Sequence, residues 1–254
     1  ALSLAPDHAP SHHNLRAALA QRSAYEEAAE QMRTAIELDD DYLLPYDALA
    51  DIYCVKLGRC QEAVTLLLQA TQQRPDHAGL QGHLGWAYQR LGKPDKALAA
   101  FQIAVAADSL STEVYNGLGR SFSDLGQFDA ATRALHQAIR LDPLNHEAHY
   151  HLSLAYQKQG KSKEGNFAMR MFQRVNQHVD AIRRWRTVLA GDPHDARARS
   201  ELGRIYARVG LQGLASEEFL HSLAVEPADA TTWHSLGNVY LRLQRLDRAV
   251  DAFE

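Results

Sequence analysis

Small residues that open an amphipathic, helix-period stretch recur at Ala28, Ala63, Ala97, Ala131, Gly165, Ala181, Ala215 and Ala249, in steps of 35, 34, 34, 34, 16, 34 and 34 residues. A period of this length is the mark of stacked supersecondary units, and missing it would mis-assign the whole fold. The pattern is most complete in two blocks, VYNGLGRSFSDLGQFDAATRALHQAIRLDP (residues 114–143) and TWHSLGNVYLRLQRLDRAVDAFE (residues 232–254). Apolar positions in each recur every three or four residues on both sides of a central turn, which predicts a helix-turn-helix pair per block.

Each recurring position has a physical reason. Leu-Gly at positions 7 and 8 of a block (Leu84-Gly85, Leu118-Gly119, Leu202-Gly203, Leu236-Gly237), with alanine at position 20, lets two helices approach closely. Aromatics near position 4 (Tyr115, Trp233), at 11 (Tyr88, Phe122, Tyr206, Tyr240) and large apolar residues at 24 (Phe101, Leu135, Trp185, Phe219, Phe253) fill the space between neighbouring units. The turn glycines Gly58, Gly92, Gly126, Gly160 and Gly210 can end a first helix in the left-handed region. Prolines at position 32 (Pro75, Pro143, Pro193, Pro227) cannot continue the second helix.

These phased positions resemble the tetratricopeptide repeat. The resemblance implies an all-α, right-handed superhelical solenoid of tandem helix-turn-helix repeats, whose first helices line a concave groove with positions 2, 5, 9, 12 and 13. Carried over residue by residue, those positions are Asn116, Arg120, Ser123 and Asp124 in the fourth repeat and Glu147, Tyr150, Gln157 and Lys158 in the fifth. The last two repeats supply Arg197, Arg204, Arg208, His234, Asn238 and Arg242. Of these, Arg197, Arg204, Arg208 and Arg242 are expected to converge, and planar guanidinium groups suit a carboxylate or phosphate. The lysine and asparagine clamp of chaperone-binding members is absent: the first repeat has His13 and Ala17, the fourth Asn116 and Arg120. The asparagine ladder of glycosyltransferase-linked arrays finds only Asn14.

The 16-residue step between Gly165 and Ala181 is short by about one helix and its turn. It reads either as a linker missing near Asn176 to His178, the preferred reading, or as a deletion that packs two second helices together. Without a partner, the second of these helices would present Ile182, Trp185, Val188 and Leu189 to water, an expensive patch. The organisation expected is the tail of a preceding repeat (1–8), a first sub-array of about five repeats (9–177) and a second sub-array (178–254). An extra residue between Tyr53 and Gly58 is expected to lengthen one turn. Both ends fall inside repeats, which suggests a piece of a longer array.

Composition narrows the chemistry. Alanine and leucine dominate, glycine and proline are sparse, and no apolar run reaches the roughly 18 residues that a bilayer-crossing helix needs. Direct membrane insertion is not expected, and the compartment stays open. A net charge of −4 argues against a surface built for nucleic acid. Acidic residues crowd the start (Glu26 to Asp51), and a basic belt runs from Lys161 to Arg208. In the Arg183-Arg184-Trp185-Arg186 run, Trp185 falls at position 24 and is expected in the repeat core. Cys54 and Cys60 are expected as two small buried thiols. His146, His149 and His151 cluster, yet no HExxH or CxxC accompanies them, so neither metal nor cofactor is expected. No nucleotide-binding or nucleophile-elbow motif is present.

The function expected is a non-catalytic scaffold that holds a protein or peptide segment, acidic in the C-terminal groove, with self-association left open. The alternatives are a structural or accessory subunit of a larger bacterial envelope or multi-enzyme assembly, or the repeat region of a larger enzyme.

Overall fold

A computed structural model describes residues 7–254, so the expected repeat tail, residues 1–8, lies almost wholly outside the described residues. The described residues are helical throughout, with no strand among them. The chain divides into two compact units, 1–165 and 166–254. Unit 1 holds four consecutive helix pairs and the first helix of a fifth: α1 (Ala9–Gln21), α2 (Tyr25–Leu38), α3 (Leu44–Asp51), α4 (Cys60–Gln73), α5 (Ala78–Arg90), α6 (Pro94–Ala107), α7 (Thr112–Asp124), α8 (Phe128–Leu141) and α9 (His146–Lys158). α10 (Ser162–Asn176) runs through the division. Unit 2 continues with α11 (Val179–Gly191), α12 (Ala196–Val209), α13 (Gln212–Val225), α14 (Ala230–Arg242) and α15 (Leu246–Phe253). None of these helices is long and apolar enough to cross a membrane.

The glycine at position 8 is a socket. A Cβ on Gly85 would lie 2.6 Å from the Phe101 ring, and one on Gly203 would lie 2.8 Å from Phe219. Gly119 meets Leu135 and Gly237 meets Phe253 in the same way. In these four repeats the large residue of the second helix therefore seats on the backbone of the first helix. Phe101 goes further, because its ring also presses on Gly117 of the next repeat and is completely buried. One side chain thus fastens two repeats, the nearest-neighbour coupling on which solenoids depend.

The five predicted turn glycines all have positive φ, from 67° to 98°. Ser23 and Gln244, both at φ 58°, take that place in the first and last repeats and carry a left-handed backbone without glycine's freedom.

In four repeats the residue at position 4 is a hydrogen-bond donor, whether or not it is aromatic. Gln81 Nε2 donates to the Pro75 carbonyl (2.6 Å), His149 Nε2 to Pro143 (3.0 Å), Arg199 Nε to Pro193 (3.1 Å) and Trp233 Nε1 to Pro227 (2.8 Å). Each reaches back six residues to tie the start of a first helix to the inter-repeat turn, and so satisfies a carbonyl that no helix ladder uses. Side-chain caps at His77, Ser111, Asn145, Asp195 and Asp229 hold the first amide groups of the same helices.

His149 is buried, and burial holds its pKa below the usual imidazole value. The unfolded chain then binds more protons than the folded one between the depressed pKa and about 6.5, so stability is present above that range and is lost as pH falls through it. His136 and His151 are shifted the same way by burial. Thermal unfolding should therefore drop between pH 7.5 and pH 5.5, and His149→Gln, which keeps the donor seen at Gln81, should drop less. Equal acid sensitivity in the two proteins would remove His149 from this account.

Three expectations are corrected. The extra residue near Tyr53 lengthens no loop: it is absorbed as a π-helical turn, Ile52–Lys56, continuing α3, with Leu57 N–H bonded to the Ile52 carbonyl. Cys54 in this turn and Cys60 at the start of α4 are joined in a disulfide, not left as separate thiols. Trp185 is half-buried rather than deep in a core. No first helix precedes α11 to cover it, and its ring is flanked instead by the guanidinium groups of Arg184 (4.9 Å from the centroid) and Arg197 (5.9 Å).

The broken step itself is present. α10 and α11, two second helices, follow one another through Gln177 and His178 alone. Of the apolar face foreseen for α11, Ile182 is buried, while Val188 and Leu189 are half-covered.

Candidate functional site

In unit 2 the faces of α12 and α14 line an open groove of about 710 Å³. Arg204 and Arg208 stand one turn apart on α12, and Ser235, Asn238 and Arg242 share a face of α14. Ala207 and Val239 give the groove an apolar floor, with the edge of Phe219 behind them.

The three arginines differ in how committed they are. Arg204 Nη1 is 2.6 Å from Glu201 Oε1 on the same helix, a half-buried pair. Glu201 lies at position 6, outside the positions carried over from the family pattern, and it adds an acidic group beside the groove that the sequence reading left out. Arg242 Nη1 donates to the Ala207 carbonyl at 3.3 Å, an exposed contact. Arg208 is exposed at the mouth and makes no ion pair among the described residues. The Asp229 carboxyl is held below its usual range, chiefly by the hydrogen bond from Thr232 Oγ1 and to a lesser degree by the charge of Arg204.

Four of the predicted residues, Arg204, Arg208, Asn238 and Arg242, therefore meet in one groove. Arg197 does not join them, because its guanidinium lies over Trp185 on α11. His234 lines a separate hollow of about 480 Å³ instead, where its ring lies 5.5 Å from Phe253.

Unit 1 rearranges the prediction more. Asn116 is only 2% exposed, and its Nδ2 donates to Glu147 Oε2 at 3.0 Å, tying α7 to α9 instead of facing a ligand. The reason is local: Asn116 follows the helix surface that meets the next repeat's first helix, and the Glu147 carboxylate accepts from its amide nitrogen there. Arg120 is half-buried, and its positive charge contributes, after burial, to the lowered pKa of His151. Tyr150, Gln157 and Lys158 are exposed on α9. Two cavities of unit 1 lie instead around His83 and Trp86 of the third repeat. Trp86 stands at position 9, in the same register as Arg120 and Arg204, so extending the groove positions to that repeat would have found it.

Among the described residues, no group of three or more histidine, cysteine, aspartate or glutamate side chains is arranged to hold a metal ion.

The sequence matches family profiles along most of its length. A profile described as TPR repeat matches residues 119–160, one described as tetratricopeptide repeat matches residues 54–112 and 172–220, and a further tetratricopeptide repeat profile matches residues 230–254. No curated protein sequence matches the chain. Among solved structures, MamA 41-end from Desulfovibrio magneticus RS-1 is similar, with 21% identity over 66% of this chain and 95% of that one, at a TM-score of 0.58. A tetratricopeptide repeat protein from Parabacteroides merdae ATCC 43184 is 15% identical over 96% of this chain and 90% of its own, at a TM-score of 0.52. At such identities the likeness concerns the fold alone. Profile matches in both units, the 34-residue period and the seating of a large second-helix residue on a first-helix glycine in four repeats agree: the chain belongs to the tetratricopeptide repeat family.

Proposed function

We propose that the chain is a non-catalytic scaffold whose α12–α14 groove binds an acidic or phosphorylated segment of a partner protein. Tetratricopeptide arrays serve in general as protein-interaction scaffolds, and the finer reading rests on one observation: three arginines and an asparagine converge on an open groove of about 710 Å³. Guanidinium groups offer paired donors to carboxylate or phosphate, and Asn238 and Ser235 add neutral partners for a peptide backbone. Arg208, exposed and unpaired among the described residues, supplies the first contact. Arg204 must exchange Glu201 for the ligand, so the incoming anion competes with an intrahelical pair of modest strength, typically below about 1 kcal/mol where solvent reaches it. Calorimetric titration of a glutamate- and phosphoserine-rich peptide against the same peptide with lysines in their place tests the reading. The acidic peptide should bind, more weakly as salt rises, and the basic one should not bind in this groove. Equal affinity for both, or affinity indifferent to salt, counts against it.

A further inference from the structure

The two cavities of unit 1, about 380 and 270 Å³, adjoin one another through His83 and Trp86, which line both. The Trp86 ring is half-buried and braced edge-on against Phe101, with centroids 5.4 Å apart and planes at 80°. Around it the walls are small or aliphatic, with Ala87 and Val55 on one side and Gly82 and Val114 on the other. A Cβ on Gly82 would lie 3.5 Å from Val114, an ordinary van der Waals contact, so this wall is lined by apolar groups at normal spacing.

The charged groups are mostly acidic. Asp51 lines the first cavity, Asp108 and Glu113 line the second, and all three are exposed. His83 Nε2 lies 3.2 Å from the Asp47 carboxylate. Arg90, at the far end of the first cavity, is the one arginine or lysine lining either.

We propose that this Trp86 groove is a second docking surface, taking an extended partner segment with alternating aliphatic and basic side chains, opposite in polarity to the groove of unit 2. The proposal rests on the scaffold reading and adds a second ligand chemistry to it. Aliphatic side chains fit the two cavities on either side of Trp86. A lysine or arginine of the segment finds the Trp86 ring and carboxylates within one groove, and a ring face attracts a cation most where water is partly excluded. Arg90 is left to a backbone carbonyl of the segment. The result is a scaffold that sorts partners by charge, since each groove disfavours the segment suited to the other.

The test uses the 254-residue chain and a fluorescein-labelled peptide of alternating leucine and arginine, with a leucine–glutamate peptide as comparison. The arginine peptide should bind. Asp51→Lys with Glu113→Lys, both at exposed positions, should weaken it about tenfold or more, as removing close charge complementarity does. Arg204→Gln with Arg208→Gln should leave it unchanged. Circular dichroism of each variant checks the fold, and Trp86→Phe, which keeps a ring against Phe101, should weaken binding without reversing its charge preference. Absence of binding by the arginine peptide would overturn the proposal, as would equal binding to the charge-reversed chain or loss through the unit 2 variant. A concentration-dependent dimer dissolved by Asp51→Lys and Glu113→Lys would assign the groove to a second copy and overturn it too. Binding of the glutamate peptide, lost with Arg204 and Arg208, reports separately on the unit 2 reading.

Discussion

Phe101→Ala is expected to lower the free energy of unfolding by about 3–5 kcal/mol, at the upper end for a buried aromatic truncated to alanine. The ring is completely buried and stands against the backbone of both Gly85 and Gly117, and neither glycine has a side chain to fill the space it leaves. The loss is felt twice: α6 no longer seats on α5, and the third repeat no longer seats on the fourth. In a solenoid the second loss weakens an interface term, so the transition should broaden as well as shift down. A sharp transition at the wild-type temperature would show that Phe101 is not the fastener described.

Gly119→Leu attacks the same construction from the other side. A Cβ at this position already meets the side chain of Leu135, which is fully buried and has nowhere to retreat. A whole leucine must push α7 and α8 apart, at a cost of about 1–3 kcal/mol or more. Gly119→Ala should show a smaller loss in the same direction. Gly213→Ala is the control, because nothing lies within 4 Å of a Cβ there and the residue is in the first turn of α13. Chemical denaturation of the three variants would rank them Gly213→Ala, Gly119→Ala, Gly119→Leu in order of falling stability. Wild-type stability for Gly119→Leu would mean the repeat register is wrong.

Much of this architecture was legible in the sequence because a repeat states its rule several times. Gly85 with Phe101, Gly119 with Leu135, Gly203 with Phe219 and Gly237 with Phe253 keep one spacing, and no single pair would have carried the inference. What escaped was set by contacts between repeats. Asn116 was assigned to a groove by register, but whether a polar side chain faces a ligand or a neighbouring helix depends on what that helix offers, and Glu147 offers a carboxylate. Arg197 left the groove because α11 lacks a first helix of its own repeat, which brings a half-covered tryptophan within its reach. The donor role of position 4 was concealed by its chemistry: glutamine, histidine, arginine and tryptophan share little except an N–H able to reach a proline carbonyl. The π-helical turn could be anticipated only as an extra residue, since an insertion of one can be taken up in a loop or in a helix and local sequence does not choose between them.

The central claim, that the α12–α14 groove receives an acidic segment, is tested most directly by titrating the glutamate- and phosphoserine-rich peptide into the wild-type chain and into Arg204→Glu with Arg208→Glu. Both arginines are on the accessible part of α12, and circular dichroism should show the fold intact. The account predicts salt-sensitive binding by the wild type and none by the charge-reversed chain, because two attractive groups become two repulsive ones in one groove. Undiminished binding by the charge-reversed chain would contradict it and move the interface to another surface of the array.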